Sequence, residues 1–415
     1  MASLFGLARR NWLLLNPFQA SKSTTPLRFG ILGAAGIAPQ ALILPARSHP
    51  DVVIQVVAAR DPKKANAYAR KHNIPDVAKS YQDILDNPNI DAVYIPLPNG
   101  LHYEWALRAA EAGKHVLLEK PLANNSIEAE ALFKSPLLDG PKAPILLEAT
   151  HYVYHPAWTA FMSYVTPAEV ASAKVVMWVP RWTFGADDIR YRYDLGGGAL
   201  MDLGAYTASI LARVFGEVAE ECEESITQPG PTDPECDRMF KVRYRFSNGG
   251  IGEMEGDLKA PLNRLSPEIH VVHKPVIVSN AESGVKVPEG QEAVRTRKIK
   301  FWNFAQPTFV HSIQIDDEFT TRKIGDVSGH IKKWTSSKTV KSYTFEEAGM
   351  DQVGKPYWPT YRHQLEQFVN KVRGRDTRQW VTANDSINTM KMIDMAYTTA
   401  KLPLRPTSEY KMAAH

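Results

Sequence analysis

The stretch Phe29-Gly30-Ile31-Leu32-Gly33-Ala34-Ala35-Gly36-Ile37-Ala38 limits what this chain can fold into more than any other. An apolar run reaches Gly33 and gives way at once to a helix-like pattern. This fits the strand-to-helix turn G-x-G-x-x-G/A, with Gly33 in the first position and Ala38 in the third. The second position is Ala35, a departure, because a methyl group must be accommodated where backbone nears a pyrophosphate. Gly33, Ala34, Ala35, Gly36 and Ile37 are therefore the candidate cofactor loop, with amides at the helix start facing phosphate.

The rest of the first third repeats the same alternation. Val52–Ala59 and Asp91–Ile95 are apolar and strand-like, as are Lys114–Glu119 and Pro144–Ala149. Asp61–His72 and Gly100–Ala112 have helical spacing, the latter closed by Gly113. Such a series predicts a doubly wound parallel sheet, the Rossmann form of an α/β fold, over residues 27–150. Beyond Thr150 the pattern changes. Lys174–Val179, Phe240–Phe246, Gly250–Leu258, Ile269–Ser279 and Val310–Phe319 predict longer strands with polar turns. Residues 151–382 are thus expected to form an α+β domain with a large, open-faced, mostly antiparallel sheet. Residues 383–415 are expected to supply a helix and tail that pack back toward the first domain. The acidic stretch Glu217–Glu224 reads as an exposed loop.

Charge narrows the partners. The chain of 415 residues carries 49 Lys and Arg against 45 Asp and Glu. The first fifty residues hold five Arg or Lys and no acid, so the body is nearly neutral. Nucleic acid is not expected as a partner. No uninterrupted apolar stretch is long enough to cross a membrane. Two cysteines, Cys222 and Cys236, are too few for a disulfide framework and lack the C-x-x-C spacing of a metal or redox motif, so a reducing, cytoplasmic setting is expected. The basic, acid-free residues 1–26 predict an arm whose Leu13, Leu14, Leu15 and Phe18 pack on the body or a partner subunit. A mitochondrial targeting segment is the alternative.

Two positions bear on the cofactor. An acid usually ends the second strand of an NAD-binding fold. Here the strand ends Ala58-Ala59-Arg60-Asp61, and a guanidinium at Arg60 suits a 2′-phosphate. NADP is expected, with NAD as the alternative through Asp61, whose other reading is a helix cap.

Glu119-Lys120-Pro121 lies at the carboxyl end of a predicted strand, where ligands of open α/β sheets bind. Leu195-Gly196-Gly197-Gly198-Ala199-Leu200-Met201-Asp202-Leu203-Gly204-Ala205-Tyr206 opens a helix. Asp202 and Tyr206, four apart, share one face of it. Pro96-Leu97-Pro98-Asn99 is followed by His102. Together these segments resemble the Gfo/Idh/MocA oxidoreductase family. Tyr206 directs the resemblance to the branch of dimeric dihydrodiol dehydrogenase and NADP-dependent D-xylose 1-dehydrogenase. It covers Leu27 to about Ser408, leaving the arm and about Lys323 to Lys355 unmatched.

That resemblance implies a Rossmann domain plus an open-sheet domain, with substrate between them and a homodimer through the open sheet. It implies catalysis by Lys120 and Tyr206, with Asp202 holding one of them, and cofactor contacts at Leu97, Asn99, His102, Glu119 and Lys120. The implied reaction is NADP-dependent oxidation of a sugar hydroxyl, foremost D-xylose C1 to D-xylono-1,5-lactone. The alternatives are a trans-1,2-dihydrodiol dehydrogenase and a catalytically silent NADP-binding regulator. Free tyrosine, with a pKa of about 10, is a poor base at neutral pH; the Lys120 ammonium is expected to lower it. His151, Tyr154, Trp182, Phe184 and Arg190 are candidate substrate contacts. His151 and His155 have zinc-like spacing but no third ligand, so no metal is expected.

Overall fold

The computed structural model describes residues 4–261, 266–327 and 329–411. Short apolar runs form the first sheet: Leu27–Leu32 (β1), Val52–Ala58 (β2), Asp76–Val77 (β3), Ala92–Ile95 (β4), His115–Leu118 (β5) and Leu146–Glu148 (β6). They lie in the order β3-β2-β1-β4-β5-β6, and every pairing is parallel. Phe29, Ile31, Val93, Tyr94, Val116 and Leu117 are fully buried, as a parallel sheet covered on both faces requires. The carboxyl ends of all six strands therefore share one edge, which gathers the Gly33 turn, Leu97 and Lys120 together.

The second sheet has nine strands among the described residues: Val170–Pro180 (β7), Glu221–Pro229 (β8), Asp237–Arg245 (β9), Ile251–Ala260 (β10), Glu268–His273 (β11), Val276–Val278 (β12), Gln291–Trp302 (β13), Ser312–Lys323 (β14) and Lys332–Val340 (β15). Its order is β15-β14-β13-β11-β7-β10-β9-β8, with β12 on β13. Only β7 and β10 run parallel. The sequence misleads at three places. The acidic stretch expected to be a loop runs into β8, where Arg243 and Arg245 on β9 pair with Glu223 and Glu221. β15 falls in the unmatched stretch. Ile269–Ser279 breaks into β11 and β12.

On one face of this sheet the helix Gly204–Phe215 packs over β7 and β10. The other is not apolar. Lys174 pairs with Glu255, Arg243 with Glu253, Lys300 with Glu268 and Lys298 with Glu318, all across neighbouring strands. Burying apolar surface is thus no reason for this face to pair with a copy.

The arm forms a helix, Leu4–Leu15. Leu13 and Leu14 are buried, and Arg10 donates to the Thr308 and Phe309 carbonyls and lies over the Tyr343 ring. Leu15 and Phe18, expected to pack, are about 60% exposed instead. Ala383–Thr399 packs on Gly204–Phe215, on β8 and on the first domain's Ser126–Phe133 helix. Thr360–Val372 packs on His151–Tyr154 and on Pro39–Ile43, so this helix also bridges the domains.

The tail then closes the triple-glycine loop. Arg405 pairs with Asp237 at 3.2 Å with both side chains fully buried, and also donates to Gly197 O and the Tyr397 hydroxyl. Gly198 sits at φ +129°, and a Cβ there would come within 2.6 Å of Asp237, Tyr397 and Arg405. A Cβ at Gly196 would meet Asn124, and one at Gly197 the Arg190 and Arg192 carbonyls. The three glycines are a close approach of three chain segments. Arg405→Met strands Asp237 as a buried, unpaired carboxylate and should cost about 3–5 kcal/mol in urea unfolding. A loss below about 1 kcal/mol contradicts this role for the tail.

Candidate active site

At the turn after β1, Gly33 takes φ +114° and its position faces Leu97, 3.1 Å from where a Cβ would stand. The N–H groups of Ala34, Gly36 and Ile37 have no protein partner among the described residues. Gly36 is exposed, with open space around its missing side chain. Free amides and an open approach fit a pyrophosphate. The departure at Ala35 is accommodated, because the Tyr68 hydroxyl donates to Ala35 O at 2.9 Å and turns that carbonyl toward the protein. At the end of β2, Arg60 is exposed. Asp61 is the helix cap, accepting from Lys63 N at 2.8 Å, so its carboxylate is engaged.

Lys120, at the carboxyl end of β5, donates to Asp202 Oδ1 at 2.6 Å and to Asp202 O at 2.9 Å. Arg190 donates to Asp202 Oδ2 at 2.8 Å and also holds Asp188. Burial disfavours the Asp202 carboxylate, but Arg190 and Lys120 outweigh it and hold its pKa well below the usual range. Arg190 lies over the Phe184 ring, 3.9 Å from its centroid. These two candidates therefore build a bracket behind Asp202, which occupies the guanidinium otherwise available to substrate.

Tyr206 lies with its ring centroid 4.7 Å from the Lys120 ammonium. The two groups meet, as the sequence implies, but the charge effect does not follow. Burial, then Tyr361, Glu119 and Asp202, raise the Tyr206 pKa well above 10. Lys120 faces the ring and is paired to Asp202, so its charge is spent away from the hydroxyl oxygen. At neutral pH the resting group is a phenol. Its oxygen is 2.9 Å from His151 Nε2, and His151 Nδ1 is 2.8 Å from Thr360 Oγ1. The Tyr361 ring lies tilted at 37° against His151, with centroids 4.0 Å apart, and its hydroxyl reaches that of Tyr206.

Other candidates take supporting places. His102 is fully buried, its ring nitrogens 2.8 and 2.9 Å from Pro121 O and Leu97 O. It ties the Lys120–Pro121 segment to the Leu97 loop, with both ring nitrogens engaged by backbone carbonyls. Asn99 donates to Gly196 O at 2.8 Å, joining the loop after β4 to the triple glycine. Glu119 is buried and accepts from Tyr94 at 2.6 Å; burial raises its pKa. Tyr154 is a core residue, fully buried with its hydroxyl accepting from Val381 N, and is withdrawn as a substrate contact. His151 is likewise buried against Tyr206, Thr360 and Tyr361. Trp182 is 60% exposed, and among the described residues no contact links it to Tyr206. The sequence gives no signal for Thr360 and Tyr361, which lie far along the chain and read only as a helix start. Among the described residues no group of three or more His, Cys, Asp or Glu could hold a metal, and no helix is long and apolar enough to cross a membrane.

A parallel dinucleotide sheet whose strand ends meet a lysine and a phenol beneath a second sheet defines an oxidoreductase. Family models agree. That of the oxidoreductase family, NAD-binding Rossmann fold, matches residues 27–135, and the GFO/IDH/MocA C-terminal domain matches 169–273. The chain is 40% identical over 239 residues to D-xylose 1-dehydrogenase (NADP(+)) 2 of Haloferax volcanii, covering 57% of this chain and 70% of that protein. It is 34% identical over 210 residues to dTDP-3,4-didehydro-2,6-dideoxy-alpha-D-glucose 3-reductase of Saccharopolyspora spinosa, covering 48% and 61%. It is 30% identical over 211 residues to trans-1,2-dihydrobenzene-1,2-diol dehydrogenase of Xenopus tropicalis, covering 49% and 60%. The chain therefore belongs to the Gfo/Idh/MocA oxidoreductase family. Its fold is shared with a levoglucosan dehydrogenase solved with NADH and L-sorbose (TM-score 0.68, 19% identity, 91% and 97% of the two chains). A 3-ketoreductase from Actinomadura kijaniata solved with NADP and TDP-benzene is also similar (TM-score 0.62, 20% identity, 90% and 98%).

The Asp202 bracket has a pH signature. A carboxyl whose folded pKa is depressed stabilises the fold fully above its unfolded value of about 3.9 and loses that contribution as pH falls toward the folded value. Asp202→Asn should therefore flatten the loss of stability on acidification below about pH 4, read by urea midpoints across pH. An unchanged acid limb contradicts the bracket.

Proposed function

We propose that this chain interconverts a sugar hydroxyl and its carbonyl with NADP, with D-xylose C1 to D-xylono-1,5-lactone as the favoured reaction. The observation that carries the reading is the meeting of the Lys120 ammonium and the Tyr206 phenol at the strand ends, on the edge that holds the Gly33 turn. The relative named D-xylose 1-dehydrogenase (NADP(+)) 2 supports the substrate and cofactor.

The cofactor would lie along Gly33–Ile37, with Arg60 on the 2′-phosphate. When bound, its nicotinamide supplies the hydride acceptor. Lys120 is a hydrogen-bond donor for the reacting oxygen, held in place by Asp202. Tyr206 receives the hydroxyl proton in oxidation and returns it in reduction. Because the resting group is a phenol, it is ready to donate for reduction, and oxidation draws on its small ionised fraction. Pairing of two copies through the second sheet would match charge with charge; equilibrium sedimentation in low and high salt tests it.

Three outcomes follow. The ionised fraction of an acid with a raised pKa grows tenfold per pH unit below that value, so kcat for oxidation should climb by up to tenfold per unit from pH 7 to 9. Carbonyl reduction should stay nearly flat over that range. Tyr206→Phe should lower kcat by about 100-fold or more without changing KM for NADP. NADPH fluorescence over a panel of pentoses, hexoses and a trans-dihydrodiol reads both. No turnover of any sugar, or wild-type turnover by Tyr206→Phe, contradicts the reading, and preference for the dihydrodiol moves it to the other substrate class. Arg60→Ala should raise KM for NADP about tenfold or more and leave KM for NAD unchanged. Equal effects on both remove Arg60 from the 2′-phosphate.

A further inference from the structure

The buried histidine beside Tyr206 is not explained by hydride transfer itself. His151 is 3% exposed, yet both its ring nitrogens are occupied, one by the Tyr206 hydroxyl and one by the Thr360 hydroxyl. Which nitrogen carries the hydrogen decides what His151 does. Thr360 is 2% exposed, and its hydroxyl has no other hydrogen-bond partner among the described residues. A buried hydroxyl hydrogen left without an acceptor is costly, so it goes to His151 Nδ1. The hydrogen of the neutral ring is then on Nε2, pointing at the Tyr206 oxygen.

We propose that His151 is a positioning residue for the tyrosine: locked by Thr360 as the Nε2–H tautomer, it donates to the Tyr206 oxygen and supports the phenolate. This deepens the proposed function and rests on Tyr206 as the proton-transferring group. Two consequences follow from the geometry. The Tyr206 lone pair facing His151 is taken, so its own hydrogen is left for the Tyr361 hydroxyl or for a reacting oxygen. The ring also answers a difficulty in the site. Besides His151, the groups that face Tyr206 are the Glu119 and Asp202 acids, the Tyr361 and Tyr152 phenols and the Lys120 ammonium. Lys120 is bound to Asp202 and sits over the ring face. The oxygen therefore needs a donor in its own plane, and a hydrogen bond to the charged form favours that form. His151 stays neutral, its pKa pushed down to about 3 by burial and by the Lys120 charge, so its Nε2–H is a fixed dipole with no competing imidazolium state near neutral pH. The helix Thr360–Val372 supplies the lock, which makes the phenol sensitive to how that helix seats against His151–Tyr154.

Three variants and one spectrum test this. His151→Gln keeps an N–H donor on a side chain of similar reach, His151→Leu removes it, and Thr360→Val removes the lock. Steady-state oxidation across pH 6–10 should give His151→Leu a kcat at least tenfold lower at pH 8. Its pH profile should shift upward by one unit or more, with KM for NADP unchanged. His151→Gln should restore most of kcat and the wild-type profile. Nitrogen-15 spectra of histidine-labelled protein, with His151 assigned by its loss in His151→Gln, should report the Nε2–H tautomer in the wild type and a changed tautomer balance in Thr360→Val. An Nδ1–H tautomer in the wild type overturns the proposal. So does a His151→Leu enzyme with the wild-type pH profile in a background where Tyr206→Phe loses turnover. If Tyr206→Phe instead retains turnover, the base assignment falls, and the tautomer of the wild-type ring alone decides whether His151 donates to Tyr206.

Discussion

The ion pair between Lys120 and Asp202 is the interaction on which the site depends. It spans 82 residues of sequence and joins the end of a Rossmann strand to the short helix Ala199–Asp202, which ends just before the helix that carries Tyr206. A lysine at a strand end is a mobile point charge. Two contacts to one aspartate, carboxylate and carbonyl together, remove that freedom. Arg190 holds the far oxygen of the same carboxylate, so Asp202 is itself fixed from behind. Desolvating three charges is expensive, and the arrangement is tolerable only because each has a partner at hydrogen-bonding distance. Orientation of an ammonium toward one face of a phenol is the result.

The surrounding structure reads as support for that pair. His102 pins the backbone after Lys120, Asn99 pins the glycine loop, and the tail's Arg405 closes the loop from the other side through Asp237 and Tyr397. Helices Thr360–Val372 and Ala383–Thr399 each touch both domains. The crevice floor is thus tied at several points, while the Gly33 turn keeps its amides free.

Much of this was legible in the residues. The parallel sheet follows from short apolar runs separated by helical spacings, and the Gly33 turn, Lys120, Asp202 and Tyr206 follow from motifs local enough to read by eye. What failed had physical reasons. β8 is rich in glutamate and looked like a loop, but its charges are matched by arginines on β9, a cross-strand fact invisible in one dimension. Tyr154 looked like a sugar platform because aromatic residues serve in cores and in sites alike, and only burial separates the two. The expected low phenol pKa assumed that proximity of charge suffices; the lysine is near the ring but committed to Asp202. His151 reads in sequence as a substrate contact; its place against Tyr206 and Thr360 is invisible there, since Thr360 lies 209 residues away.

The central claim is that Lys120 and Tyr206 address one reacting oxygen beside a nicotinamide ring. A crystal structure of the protein with NADP and a non-reacting pentose analogue measures this directly. The account predicts one sugar oxygen about 3 Å from both Lys120 Nζ and Tyr206 Oη, with its carbon facing the nicotinamide. A sugar seated with no oxygen within reach of either group, or a nucleotide lying away from the Gly33 turn, would contradict it.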